Sequence, residues 1–154
     1  MRLNYDYVRD VLIFVEKELV YKDADTIYGI HSFMPYGKLL TNSTFDKHNK
    51  AELLYALELL IKEGYIECSN PPNIVNGDLK AASIIGLSWK GHELLNDIRD
   101  NTVWNAVKEK ASKFGGLSLT ALVSGAKFLS SALMTDPTAL ENFKQGIQNI
   151  SNLI

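Results

Sequence analysis

Apolar residues near the N-terminus recur every three or four positions, at Val8, Val11, Leu12, Val15 and Leu19. This spacing places them on one face of a helix, with the intervening charged residues on the other face. The pattern predicts a buried amphipathic helix from about Tyr5 to Val20. Asn4 is a residue type that caps helix N-termini, and we expect it to begin this helix.

Residues 21–45 have no comparably regular pattern. The segment TIYGIHSFM alternates loosely between apolar and polar positions and predicts an extended strand, which Pro35 and Gly37 interrupt. The following segment, KLLTNSTF, fits either a short turn of helix or more extended chain. The pattern therefore leaves open whether this region forms a helix or a third strand.

A second strong helical pattern runs from Asp46 to Glu63. Its apolar positions form a broad stripe at Leu53, Leu54, Leu57, Leu60 and Ile61. We expect Asp46 to cap the helix. Gly64 occupies the position where a left-handed glycine commonly ends a helix.

The next segment predicts two strands joined by a polar loop. YIEC and AASIIGL are the strand candidates, and SNPPNIVNGDLK lies between them. Asn76-Gly77 indicates a tight turn, while Pro71 and Pro72 should keep the first half of the loop out of a strand ladder. Ser88 is then expected to cap a new helix whose apolar side holds Trp89, Leu94, Leu95 and Ile98. Helix, strand, loop, strand and helix in this order predict a winged helix-turn-helix with a two-stranded wing.

The C-terminal part predicts two further helices. After a restart near Asn101, whose buried side should hold Val103, Trp104 and Val107, Gly115-Gly116 ends a helix. Two heptad-like stripes follow, at Leu119, Leu122, Leu129 and Leu133 and at Leu140, Phe143, Ile147 and Ile150. Asp136 should cap the second stripe, with Pro137 in the first helical position. We interpret the pair as a helical hairpin that packs on itself, on the first domain or on a second copy.

These elements predict a mostly α protein with a small β wing, an α+β fold class. The expected domains are a winged-helix-like domain at residues 1–113 and a C-terminal helical hairpin at residues 114–154, which serves packing or oligomerisation. The chain has 154 residues, enough to bury a core without metals or disulfides.

The cysteine count, the apolar runs and the net charge restrict the expected location of the protein and the kinds of partner it can bind. Cys68 is the single cysteine, which excludes an internal disulfide and predicts a cytoplasmic protein. The N-terminus does not resemble a signal peptide, and no apolar run is long enough to cross a membrane. The net charge of −2 lacks the basic excess of a general DNA-binding protein, so any DNA contact must rest on a local patch.

The run GLSWKGHELLNDIRDNTVWNAVKEK, at residues 86–110, resembles the domain-of-unknown-function 2513 family of bacterial and prophage proteins. Members carry a similar Gly-Leu-Thr-Trp-x-Gly-His-Glu-Leu-Leu-Asp-x-Ile-Arg-Asp run followed by a Trp. The matching positions here are Gly86, Leu87, Trp89, Gly91, His92, Glu93, Ile98, Arg99, Asp100 and Trp104. With KEGYIE upstream, the likeness covers residues 46–113. It implies a winged-helix-like fold and a phage or mobile-element origin, and it implies no activity.

The candidate contact residues lie before the wing and at its tip. A helix in the recognition position would offer Lys47, His48, Asn49 and Lys50 to base edges or phosphates, and the wing would offer Asn73, Asn76 and Lys80. However, the stretch from Asp46 to Glu63 carries four acidic residues against three lysines, whereas a DNA-reading helix is more often clearly basic. The same surface therefore suits DNA or a protein partner.

No catalytic or metal-binding pattern emerges from the sequence. His31, His48 and His92 share no ligand spacing with each other or with Cys68, so we expect no metal and no cofactor. His92 and Trp89 are expected to hold the wing to the following helix. We predict a small non-enzymatic regulatory or binding protein of phage or mobile-element type, with DNA-binding transcriptional regulation as one form. The alternative is an adaptor or inhibitor of a host system that contacts only protein. No membrane partner and no small-molecule substrate is indicated.

Overall fold

The computed structural model describes residues 3–19, 33–113 and 118–151. The described chain is mostly helical and carries a small antiparallel sheet, which confirms the predicted α+β composition. It divides into two compact units, Met1–His92 and Glu93–Ile154. The predicted boundary after residue 113 remains a prediction.

The first unit begins with helix α1, Tyr5–Glu18, which buries the predicted positions Val8, Val11, Leu12 and Val15. The helix ends before Leu19, the fifth predicted position, which is half-buried. Asn4 caps it as expected, because its side chain accepts a hydrogen bond from the Asp6 amide at 3.1 Å. Strand β1 (Met34–Pro35), helix α2 (Gly37–Thr41) and a 3₁₀ turn (Ser43–Phe45) follow. The described part of the region that the sequence left open, residues 33–45, thus contains both a short strand and a short helix. Most of the predicted strand TIYGIHSFM lies outside the described residues.

Helix α3, Lys50–Lys62, packs against α1 and begins later than predicted. Asn49 caps it, so the expected cap at Asp46 is wrong. The reason is the 3₁₀ turn at Ser43–Phe45, which is followed by a turn through residues 46–48 before the helix can start. Gly64 ends α3 with φ of 72°, as predicted for a left-handed cap.

The first unit contains a three-stranded antiparallel sheet and a separate two-stranded hairpin. Strands β2 (Ile66–Cys68) and β5 (Ser83–Leu87) pair antiparallel, and β1 adds to the other edge of β5, giving the order β1-β5-β2. Between β2 and β5, strands β3 (Asn73–Val75) and β4 (Asp78–Ala81) form a separate hairpin. The prediction of a polar loop here is wrong, because the tight turn in its middle lets the two halves pair with each other instead of lengthening the predicted wing strands β2 and β5. Asn76 and Gly77 turn the hairpin with φ of 53° and 85°, which confirms the predicted tight turn. We call this hairpin the wing.

Helix α4 (Trp89–Ile98) leads out of the first unit into the second. The second unit continues with α5 (Asn101–Lys113), α6 (Leu119–Thr135) and α7 (Ala139–Ser151), which pack pairwise against one another. Helix α7 starts at Ala139 rather than at Pro137, although the Asp136 carboxylate accepts the Thr138 amide at 2.8 Å. None of the described helices combines the length and apolar character that a bilayer crossing requires.

Candidate functional site

His48 is tied into the first unit and does not extend toward solvent. Its ring lies 4.4 Å from the Tyr7 ring and 5.2 Å from the Phe45 ring, measured between centroids. Its Nε2 atom lies 3.0 Å from an Asp10 carboxylate oxygen, and only 18% of its side chain is exposed. His48 therefore fastens the turn before α3 to helix α1, a role that its neighbours in sequence do not indicate.

Asn49 also forms hydrogen bonds within the first unit, through both its side chain and its backbone. Its side-chain oxygen accepts the Ala51 amide at 3.0 Å and the Glu52 amide at 3.4 Å. Its own backbone amide donates to the Tyr7 hydroxyl at 3.0 Å. The first two bonds satisfy backbone amides in the first turn of α3, so the Asn49 side chain is occupied by capping. The third bond holds the start of α3 against α1.

Lys47 and Lys50 are the exposed cations at the start of α3. Neither forms a salt bridge with any residue in the part of the chain that the structure describes. Of the four predicted contact residues in this segment, these two lysines are the ones that remain available to a ligand.

The wing carries the remaining predicted contact residues. Asn73 and Asn76 are exposed, and Asn76 is needed for the turn. Lys80 pairs with Asp78 across 3.0 Å, which reduces its value as a phosphate contact. Ile74 and Val75 are also exposed, so the outer surface of the wing combines amide, apolar and internally neutralised groups.

The wing lies beside α3 and forms a cleft with it. The cleft has a volume of about 320 Å³. Ala51, Leu54, Tyr55 and Glu58 line it from α3, and Gly77, Asp78, Leu79 and Lys80 line it from the wing. We call this the wing cleft. Leu79 is buried and anchors the wing, whereas Glu58 is buried in an ion pair with Lys62.

Of the predicted contact residues, the structure brings Lys80 into the wing cleft and places Lys47 and Lys50 at the start of α3. The sequence did not identify Leu54 or Tyr55 as site residues. Leu54 was assigned to the core stripe, yet that stripe is wider than the face that α3 buries around Leu53, Leu57 and Leu60. A stripe of apolar residues wider than one buried face indicates that the helix contacts a second element, and this could have been read from the sequence.

Two positions of the run at residues 86–110, Ser88 and Gly91, hold the start of α4 against the end of α3. The Ser88 hydroxyl donates to the Gly64 carbonyl at 2.7 Å and accepts the Gly91 amide at 3.0 Å. The Ser88 amide donates to the Tyr65 carbonyl at 3.0 Å. A Cβ atom on Gly91 would meet that carbonyl oxygen at 2.1 Å, so α4 approaches the chain after α3 more closely than alanine permits. We call this contact the α3–α4 junction.

The prediction for Trp89 is wrong, because 81% of the residue is exposed. Helix α4 begins at Trp89 and buries Leu94, Leu95 and Ile98, which lie one and two turns further on. The indole therefore extends from the first turn, where the junction is made by Ser88 and Gly91 instead. The other tryptophan, Trp104, is 1% exposed and buried in the second unit as predicted.

The predicted C-terminal seam is described in part. Leu122 and Leu129 are buried in the second unit, while Leu133, Leu140 and Phe143 are half-buried. The side chains of Leu119, Ile147 and Ile150 lie outside the described residues. The role of these eight positions in oligomerisation remains a prediction.

The titratable groups of the described ranges include one free cysteine, Cys68, and no metal-binding cluster. These ranges hold no group of three or more His, Cys, Asp or Glu residues that could bind a metal ion. Burial raises the pKa of the Cys68 thiol above its ordinary value of 9.0, so this group is a protonated thiol at neutral pH. A protonated thiol is a weak nucleophile.

Comparison with known proteins identifies the family. Residues 2–118 match the family described as Hypothetical protein (DUF2513). The chain is also 31% identical to a Haemophilus influenzae protein called "Uncharacterized protein", over 137 residues that cover 87% of this chain and 99% of that one. No solved structure matches the chain at a significant level. The chain belongs to the DUF2513 family, which confirms the resemblance found in the sequence.

Proposed function

We propose that this chain is a non-enzymatic binding protein whose first unit is a winged-helix scaffold and whose partner is another protein. The scaffold assignment is supported by the order of its elements: α1, β1, α2, α3, β2, the wing and β5. The sheet order β1-β5-β2 places the strands before and after the wing side by side. In such a scaffold α3 and the wing form the contact surface.

The wing cleft is the observation that favours a protein partner. Leu54 and Tyr55 supply apolar and aromatic surface, the residue types enriched where proteins meet. Ile74 and Val75 extend an exposed apolar surface along the wing. The two carboxylates of the cleft, Glu58 and Asp78, are each paired with a lysine, Lys62 and Lys80. These two cations are therefore already engaged, so the cleft has little to offer a phosphate backbone.

The test is capture from the native host with matched variants. Val75→Asp introduces a charge on the exposed wing surface, while Phe128→Asp makes the same kind of change at an exposed aromatic residue of α6. We expect one host protein to be captured by the wild type and by Phe128→Asp but not by Val75→Asp. The captured protein is then purified, and binding is measured again by calorimetry.

Equal capture by the two variants would contradict a contact through the wing. A purified partner that binds Val75→Asp as tightly as the wild type would have the same meaning. Circular dichroism of each variant establishes that it is folded. Because Val75 is exposed, its replacement removes little from the core.

DNA is the second candidate partner, and the exposed Lys47 and Lys50 favour it. These two cations lie at the start of α3, where a recognition helix contacts phosphates or base edges. We expect any DNA complex to weaken steeply with salt. Replacing both lysines with alanine should lower the slope of log K against log salt by about 2. A gel shift that is absent at low salt with DNA flanking the chain's own gene would oppose this candidate.

The same proposal includes the biological setting that the sequence suggested. A phage or mobile-element origin, a cytoplasmic location and a role as regulator, adaptor or inhibitor of a host system are consistent with a small binding scaffold. The identity of the captured protein would distinguish these roles, because a transcription component and a host defence component imply different ones.

A further inference from the structure

A second cleft in the first unit lies between the end of α1, the strands β2 and β5, and the start of α4. Its volume is about 390 Å³, and Val15, Leu19 and Leu87 provide apolar walls. Glu16 and Glu67 place carboxylates in it, and His92 lines it from α4. The His92 Nδ1 atom lies 3.8 Å from a Glu16 carboxylate oxygen. We call this the acidic cleft.

Trp89 lies one helical turn before His92. Residues three apart on a helix are neighbours on its surface, so Trp89 adjoins His92 at the rim of the cleft without lining it. The α3–α4 junction fixes the backbone of this turn through Ser88 and Gly91. Trp89 is therefore an exposed aromatic side chain on a rigid base, and a tryptophan in this setting is a typical anchor of a protein interface.

We propose that the acidic cleft and Trp89 together bind an arginine-bearing segment of a protein partner. A guanidinium group forms paired hydrogen bonds with carboxylates and stacks on aromatic rings, and its aliphatic stem packs on apolar surface. Inside the cleft, Glu16 and Glu67 supply the carboxylates, and Val15, Leu19 and Leu87 supply the apolar surface. The exposed Trp89 beside His92 would supply the ring. All three requirements of an arginine side chain are met within one unit.

The size and charge of the cleft restrict the ligand class. Its volume is near the lower end of the range for ligand sites, so it suits one long side chain with its neighbours. The two carboxylates disfavour a phosphate-bearing ligand, and among the lining residues that the structure describes only His92 can carry positive charge. A basic peptide segment is the partner that this combination favours.

The test measures the binding of fluorescein-labelled nonapeptides by fluorescence anisotropy. Each peptide carries one arginine among apolar residues, and a matched set carries citrulline, which has nearly the same shape without the charge. We expect arginine peptides to bind the wild type and citrulline peptides to bind at least about tenfold more weakly. Trp89→Ala and the double variant Glu16→Gln with Glu67→Gln should each weaken arginine-peptide binding by about tenfold.

Two control variants carry the same chemical changes elsewhere in the first unit. Phe33→Ala removes another exposed aromatic residue, and Glu63→Gln neutralises a carboxylate outside the cleft. Both should bind like the wild type. Because Trp89 is so exposed, Trp89→Ala should keep its circular dichroism spectrum and remain informative even if the double variant fails to fold.

Three results would overturn the proposal. These are equal binding of arginine and citrulline peptides, unchanged binding by Trp89→Ala, and no arginine peptide binding below about 1 mM. Within the described ranges, the acidic cleft and the wing cleft have no lining residue in common. A negative result in the peptide-binding test therefore does not contradict the proposed contact through the wing, and a negative capture result does not contradict arginine binding.

Discussion

Gly91→Ala tests whether the α3–α4 junction holds the first unit together. The added Cβ would lie 2.1 Å from the Tyr65 carbonyl oxygen, so the two segments must separate by about 1 Å to reach even a tight contact of 3.0 Å. That oxygen cannot move freely, because it accepts the Ser88 amide at 3.0 Å and the Ser88 hydroxyl at 3.3 Å. The strain is therefore transmitted to hydrogen bonds that position α4.

The magnitude follows from three contributions. Overpacking costs about 1–3 kcal/mol, and weakening two hydrogen bonds costs about 0.5–1.5 kcal/mol each. The better helix propensity of alanine returns about 1 kcal/mol. We expect the free energy of unfolding to fall by about 3 kcal/mol, a large part of the stability of a small domain.

The assay is urea unfolding followed by circular dichroism, together with hydrogen exchange at the amides of Leu53 and Leu57 in the core of the first unit. Gly37→Ala is the matched control, because a Cβ on this helical glycine of the same unit meets nothing within 4 Å. A Gly91→Ala protein within about 0.5 kcal/mol of the control would refute the steric argument.

Four further predictions follow from single features. Asn49→Ala should lose about 1 kcal/mol of stability in urea unfolding, and Asn49→Asp should not, since only alanine removes the capping oxygen. Gly77→Ala forces a side chain to φ of 85° and should destabilise the wing by about 1 kcal/mol, seen as faster hydrogen exchange at Leu79; unchanged exchange would contradict this. Iodoacetamide at pH 8 should modify Cys68 more slowly in the folded chain than in urea. Because burial raises the folded pKa above 9.0, the thiol's contribution to stability should be full below pH 9.0 and lost as pH rises through that higher value. If the C-terminal helices self-associate, light scattering should give a mass above that of the monomer, and a strict monomer at high concentration would rule this out.

Local patterns predicted the elements that depend on local chemistry. The apolar face of α1, the Asn4 cap, the left-handed Gly64, the Asn76-Gly77 turn and the Ser88 cap were all identified correctly. Each of these features is determined within about one helical turn or one tight turn, so the spacing of residue types is sufficient.

The environment of the candidate site residues was harder to predict because it is defined by contacts between distant parts of the chain. His48 had the residue type of a base contact, but it is held by Tyr7 and Asp10, which lie about forty positions earlier in the chain. Trp89 had the residue type of a core position, yet the junction leaves it exposed. Leu54 faces the wing instead of the core, and only the position of the hairpin reveals this.

The bond between Ser88 and Gly64, which are 24 positions apart, closes a loop of the chain that contains β2, the wing and β5. The end of α3 and the start of α4 are therefore fixed to each other regardless of what the tip of the loop contains. Extra residues inserted between Asn76 and Gly77 would replace the tight turn of the wing and would add the slowly growing entropy of a longer loop. Both costs fall on the wing, so the wing tip is the place where the chain can lengthen while the core of the first unit stays unchanged.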